Sequence, residues 1–163
     1  MSEENLEIVR ELFDRAKENF ERDGYLAPVL FAWALDRPPT ISFIKGNPHN
    51  ILPGMCHRLR LSGYDRFALI VEGWIVMGEE NLRDIENWVG RMEEHPKAQT
   101  SIQIIFVSPE ETFGEFAGYD ETETGWVLVK EVETAPDWSL AGVLIEAMKG
   151  GLDIGGKKDQ RIC

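Results

Sequence analysis

The chain has 163 residues, 43% of them hydrophobic and 28% charged, with a formal net charge of -12. That size and balance fit one domain with one core, and no apolar run approaches the roughly 20 residues needed to cross a bilayer. The negative balance repels phosphate backbones, so general DNA or RNA binding is disfavoured. The opening Met1-Ser2-Glu3-Glu4-Asn5 is acidic and has no apolar core, which argues against a signal peptide and for a cytoplasmic location. Cys56 and Cys163 are too few for a disulfide framework and are expected as free thiols in a reducing compartment.

In chain order, residues 3–23 come first as the clearest helix. Leu6, Val9, Phe13, Ala16 and Phe20 fall three and four apart and make one apolar stripe. Ser2 is placed to cap it, Glu3 and Glu4 suit the positive end of its dipole, and Gly24 supplies a left-handed stop. Val29 to Leu35 alternates as a strand with Pro28 at its start, where a missing donor costs little. Asp36-Arg37-Pro38-Pro39 is expected to break it, and Thr40–Ile44 to form a second, short strand of a hairpin. Gly46, Pro48, Pro53 and Gly54 are breakers, so residues 46–63 predict only a short helix from about Pro53 to Ser62. Met55, Leu59 and Leu61 would face inward and Gly63 would stop it.

Arg66–Val76 and Thr100–Ser108 carry the longest apolar runs and read as central strands, buried on much of both faces. Between them, Leu82, Ile85, Val89 and Met92 suit a helix with Trp88 on its flank, ended by His95-Pro96. Phe113–Tyr119 and Trp126–Glu133 follow, joined by a turn over Asp120–Gly125, and with Thr100–Ser108 they predict an antiparallel meander. A last helix is expected after a cap at Asp137 or Ser139, with Leu140, Val143, Leu144, Ala147 and Met148 inward and Gly150-Gly151 as the stop. The sum is an α+β domain over residues 1–151: about six strands, mostly antiparallel, with three or four helices packed on the sheet. Residues 152–163, glycine-rich and charged, are expected to be a flexible polar tail.

Charge is unevenly spread. Residues 67–124 hold thirteen acids against Arg83, Arg91 and Lys97, whereas residues 37–66 hold Arg37, Lys45, Arg58, Arg60 and Arg66 against Asp65. An anion would be welcome only in that positive segment, and the simplest reading pairs its arginines with surface acids.

Glu72 is the leading candidate for a functional side chain, being a lone acid in an otherwise apolar strand, where it needs a partner or a shifted pKa. It could act as a general base or orient a substrate amine, or be held by an arginine or by backbone donors. His57 and His95 are the weaker catalytic candidates. Cys56 and His57 are adjacent, so on a helix they diverge and cannot serve each other as nucleophile and base; a buried, inert cysteine is the expectation. His49, Cys56 and His57 are separated by prolines with no C-x-x-C, H-E-x-x-H or H-x-H pattern, so no metal site is expected. The glycine–lysine run from Gly150 to Lys158 follows a helix rather than a strand and is no phosphate loop, so no cofactor is expected.

Val71-x-Glu-x-Trp74, then His95-Pro96, then the strand ending near Ser108, resembles a pattern of small uncharacterised α+β proteins, with Gly73 standing where alanine would be expected. The likeness covers about residues 66–108 and implies a fold but no function. Complete catalytic constellations are missing, which favours a non-catalytic binding or interaction module of unknown partner. The alternative is a small hydrolase or isomerase using Glu72 with His57 or His95. The long hydrophobic strands and spare tryptophans make a homodimer, by strand or face packing, a further expectation.

Overall fold

The computed structural model describes residues 2–75, 85–88, 91–134 and 144–149. Six strands form one fully antiparallel sheet: β1 (Val29–Ala34), β2 (Arg37–Phe43), β3 (Arg66–Ile75), β4 (Gln99–Val107), β5 (Thr112–Thr122) and β6 (Gly125–Thr134). Their spatial order is β2-β1-β3-β4-β5-β6, so β2 and β6 are the edges. Helix α1 (Glu3–Asp23) lies on one face; α2 (Pro48–Leu61) and α3, over residues 144–149, lie on the other.

Helix α1 follows its sequence signals closely. Ser2 accepts from Asn5 N–H at 3.2 Å, and Gly24, at φ 77°, donates its N–H to Phe20 C=O at 2.7 Å. The αL conformation that closes this helix is open to glycine at no steric cost. Val9, Phe13, Ala16 and Phe20 are buried against Ala68, Ile70, Ile102, Ile104, Phe106, Ala117 and Tyr119. Leu6 is only half-buried; Asn5 is buried instead and accepts a 3.4 Å bond from Trp33 Nε1. Lys17 links α1 to β6 by pairing with Glu131, and also reaches Asp14. Burial alone would lower the pKa of Lys17, but its bonds to those two carboxylates outweigh it and raise the value.

The opposite face has its own core, in which Leu30, Ala32, Phe67, Leu69, Val71, Ile105 and Val107 meet Leu52 and Cys56 of α2 and Leu144, Ile145 and Met148 of α3. The two cores use alternate residues of the same strands, as period-two side-chain geometry demands.

Three predicted elements differ from the structure. Helix α2 begins at Pro48, not near Pro53, because Asn47 caps it by accepting from His49 N–H at 3.0 Å and Pro48 fits the first turn, where its missing donor is not needed. Leu61, expected inside, is exposed, and Leu52 and Cys56 fill the interface. Strand β2 runs through Arg37-Pro38-Pro39, expected to be a break, with a register shift opposite the two prolines. An edge strand can carry proline where its missing N–H faces away from the sheet. Between β3 and β4 the described part holds two 3₁₀ turns, Ile85–Trp88 and Met92–Glu94, in place of the single predicted helix. Val76, Leu82 and Val89, the caps and first residues of the last predicted helix, Gly150-Gly151 and the predicted tail lie outside the described residues.

Candidate functional site

Glu72 lies on the α1 side of β3, in register with Ile102. Contrary to the sequence expectation, it is not enclosed by apolar side chains: α1 has ended by this level of the sheet, and Glu72 and Trp74 are exposed. Its Oε2 accepts from Leu26 N–H at 3.2 Å, in the loop that follows α1. The partner is thus a backbone donor rather than an arginine.

His57 sits on α2, whose buried residues pack on the other face, so the sheet lies between this helix and Glu72. Its Nδ1 is buried and bonds to nothing among the described residues. His95 is buried in the turn before β4; its Nδ1 accepts from Lys97 N–H at 2.9 Å and its ring meets Trp88 edge-on at 4.9 Å. An Nδ1 that accepts leaves the ring proton on Nε2. No hydrogen bond or ion pair joins Glu72 to His57 or His95 among the described residues. We therefore expect Glu72→Ala to cost no more than about 1 kcal/mol, the net worth of one exposed hydrogen bond; urea unfolding of the variant beside the wild type checks it.

Cys56 is fully buried in the α2-side core, and burial pushes its thiol up to about 12. Its sulfur is protonated and enclosed, the reverse of a nucleophile's setting. Among the described residues, no group of three His, Cys, Asp or Glu side chains stands close enough to hold a metal ion, and no helix is long and apolar enough to cross a membrane. Arg37, Arg58 and Arg60 make no ion pair among the described residues; Arg37 lies over the Tyr64 ring at 5.8 Å, and Arg66 reaches Asp65 only at 3.9 Å. The expected pairing of this positive segment with surface acids is therefore mostly absent there.

One buried polar pair lies on β4, where the sequence did not flag it. Gln103 Nε2 donates to Ser101 Oγ at 3.0 Å, both side chains buried on the α2 side of β4. Gly73, adjacent on β3, leaves room for them: a Cβ there would stand 3.4 Å from Gln103 Nε2.

Among the described residues, both edge strands expose apolar side chains: Val127, Leu128 and Val129 on β6, and Ile41 and Phe43 on β2. Ile41 is 56% exposed and Phe43 70% exposed. Both lie on the α1 side, in register with Phe31 and Val29 of β1. Ile44 N–H donates to Pro28 C=O at 3.0 Å, which sets the parity of the hairpin: Ser42 and Thr40 turn their backbone groups toward β1, and Ile41 and Phe43 turn theirs outward. The outward N–H and C=O groups therefore belong to the two exposed apolar residues. The Pro38-Pro39 pair marks this strand as an edge, a signal present in the sequence but read there as a break.

Fold and surface together define a sheet-and-helix domain that, among the described residues, exposes apolar side chains on both edge strands. Scans against protein-family models, curated proteins and solved structures each found no match.

Proposed function

We propose that this protein is a non-catalytic interaction module that pairs with a protein partner along the free edge of β2. The observation that carries this reading is the coincidence of outward main-chain donors and acceptors with the exposed Ile41 and Phe43 side chains. Strand addition uses those two elements: main-chain bonds give affinity, and alternate side chains give specificity. The β6 edge also exposes Val127, Leu128 and Val129, but Lys130 and Glu131 follow them on the same strand, and charge is a usual guard against pairing. The net charge of -12 opposes a nucleic-acid partner, and the cytoplasm is the compartment that suits the composition.

The test compares affinity capture by the wild-type chain and by an Ile41→Lys/Phe43→Lys double variant. Both sites are exposed, so the fold should survive, and circular dichroism checks that. The expected result is that proteins retained by the wild type are lost by the variant; an unchanged set of retained proteins would overturn the reading.

A further inference from the structure

We infer that the C-terminal end of α2 is a docking surface for an acidic segment of a partner protein, held by Arg37, Arg58 and Arg60 around the exposed Leu61. Arg37 opens β2, but this surface uses none of the main-chain groups along that strand's free edge.

Charge on this chain is segregated. No Asp or Glu occurs between Arg37 and Tyr64, so all 29 acids lie outside that run, while Arg37, Lys45, Arg58 and Arg60 lie within it. Helix α2 therefore turns no carboxylate to solvent: its exposed residues are His49, Asn50, Gly54, Arg58, Arg60 and Leu61. On a chain of net charge -12, such a face draws a negative group that the acidic surfaces repel.

The fold adds a third guanidinium to the two on the helix. Arg37 lies over the Tyr64 ring at 5.8 Å, and a Cβ on Gly63 would stand 2.5 Å from its Nε. Gly63 comes two residues after α2 ends, so Arg37 reaches the end of the helix that carries Arg58 and Arg60 in its last turn. Contact with an aromatic face and with bare backbone positions the Arg37 head in advance, which lowers the ordering cost of binding.

These cations lack a counter-charge. Arg37, Arg58 and Arg60 make no ion pair among the described residues, and Asp65, the acid that ends the run, reaches only Arg66, at 3.9 Å. Asp36 adjoins Arg37 in the hairpin turn and makes no ion pair there either. Arg58 and Arg60 suit the negative end of the α2 dipole, but that explains no third guanidinium brought in from another element. A carboxylate can accept two parallel N–H bonds from an arginine, and it would relieve the repulsion among the three.

Apolar surface accompanies the charge. Leu61, 75% exposed, stands in the same last turn, and Leu35, 80% exposed, precedes Asp36 and Arg37 in the β1–β2 turn. Aliphatic side chains beside arginines suit a segment that mixes carboxylates with an aliphatic residue. A short segment stays within about a Debye length, ~10 Å, of the arginines, whereas a nucleic acid runs on into the surrounding acids.

The contact is small, so its dissociation constant is on the order of micromolar or above. The experiment is fluorescence anisotropy on the full chain at low salt, with a labelled decapeptide of glutamates around a central leucine. The expected result is saturable binding that weakens about tenfold or more in Arg58→Gln/Arg60→Gln and about threefold or more in Arg37→Gln, and that falls as salt is raised. All three arginines are exposed, and circular dichroism checks that each variant folds. An Ile41→Thr/Phe43→Thr variant should bind the peptide as the wild type does. Absence of saturable binding overturns the inference, as does binding indifferent to the arginine variants or an equal affinity for a uridylate oligonucleotide of the same length. Binding lost in Ile41→Thr/Phe43→Thr but kept in the arginine variants would overturn this surface and leave the β2 edge as the interaction site; the reverse pattern supports it whatever the capture test of that edge returns.

Discussion

Phe20→Ala should destabilise the protein by about 3–5 kcal/mol, the usual cost of truncating a fully buried phenylalanine. Phe20 lies in the last turn of α1 and meets the Tyr119 ring at 4.9 Å and the Trp126 ring at 5.2 Å, both in tilted geometry, joining the helix to β5 and β6. Tyr119 also donates its hydroxyl to Glu21 at 3.1 Å, one residue along α1. Removing Phe20 leaves a cavity and two aromatic faces without their partner, each pair being worth about 0.5–1.5 kcal/mol. A domain of ordinary stability holds about 5–15 kcal/mol, so about a fifth or more of the total is at stake. Thermal unfolding should show the midpoint falling by about 6–20 °C, with Phe20→Leu losing much less. A loss under about 1 kcal/mol would mean that α1 is not docked on the sheet as described. The variant also separates stability from association: it leaves β2 untouched, so its folded fraction should still pair through Ile41 and Phe43.

The elements written in strict periodicity were legible before any coordinates. Helix α1 has one uninterrupted stripe, a cap at Ser2 and a stop at Gly24, and all three local signals agree with the packing. The strands β3, β4, β5 and β6 were readable because their alternate residues had to serve two cores or a turn. What could not be read depends on neighbours in space. Pro38-Pro39 breaks a central strand but not an edge, and sequence does not say which strand is the edge. The start of α2 was hidden because Pro48 is a breaker inside a helix and a good residue in its first turn; only the cap at Asn47 decides between them. Glu72 looked enclosed because its strand neighbours are apolar, yet burial is set by where α1 stops, at Gly24. The same gap hid the β2 edge: only the sheet order shows that Ile41 and Phe43 lie on an outer strand.

Cys56 should react with alkylating reagents about a thousandfold more slowly in the folded protein than in the urea-unfolded chain at neutral pH. Burial lifts its thiol from an ordinary 9.0 to about 12, which cuts the reactive thiolate by that factor, and the enclosure by α2, β1 and β3 slows access further. A Cys163→Ser background makes the reading unambiguous. The sign of the pH dependence follows from the same shift. The folded state holds the proton more tightly than the unfolded chain, so the contribution to stability is fully present below about 9 and is lost as pH rises toward about 12. Tyr119 acts in the same sense above its ordinary 10.0, because burial and the neighbouring Glu21 carboxylate both hold its phenol protonated. Lys17, raised by Glu131 and Asp14, adds to the same alkaline loss. Urea midpoints should therefore fall steadily with pH above about 9, and Cys56→Ala should flatten part of that slope although its truncation lowers the midpoint overall. Rapid native labelling at pH 8, within tenfold of the unfolded rate, would contradict the burial and revive a thiol nucleophile. A catalytic cysteine needs a pKa moved downward by a cation or a helix N-terminus, and the environment of Cys56 moves it the other way.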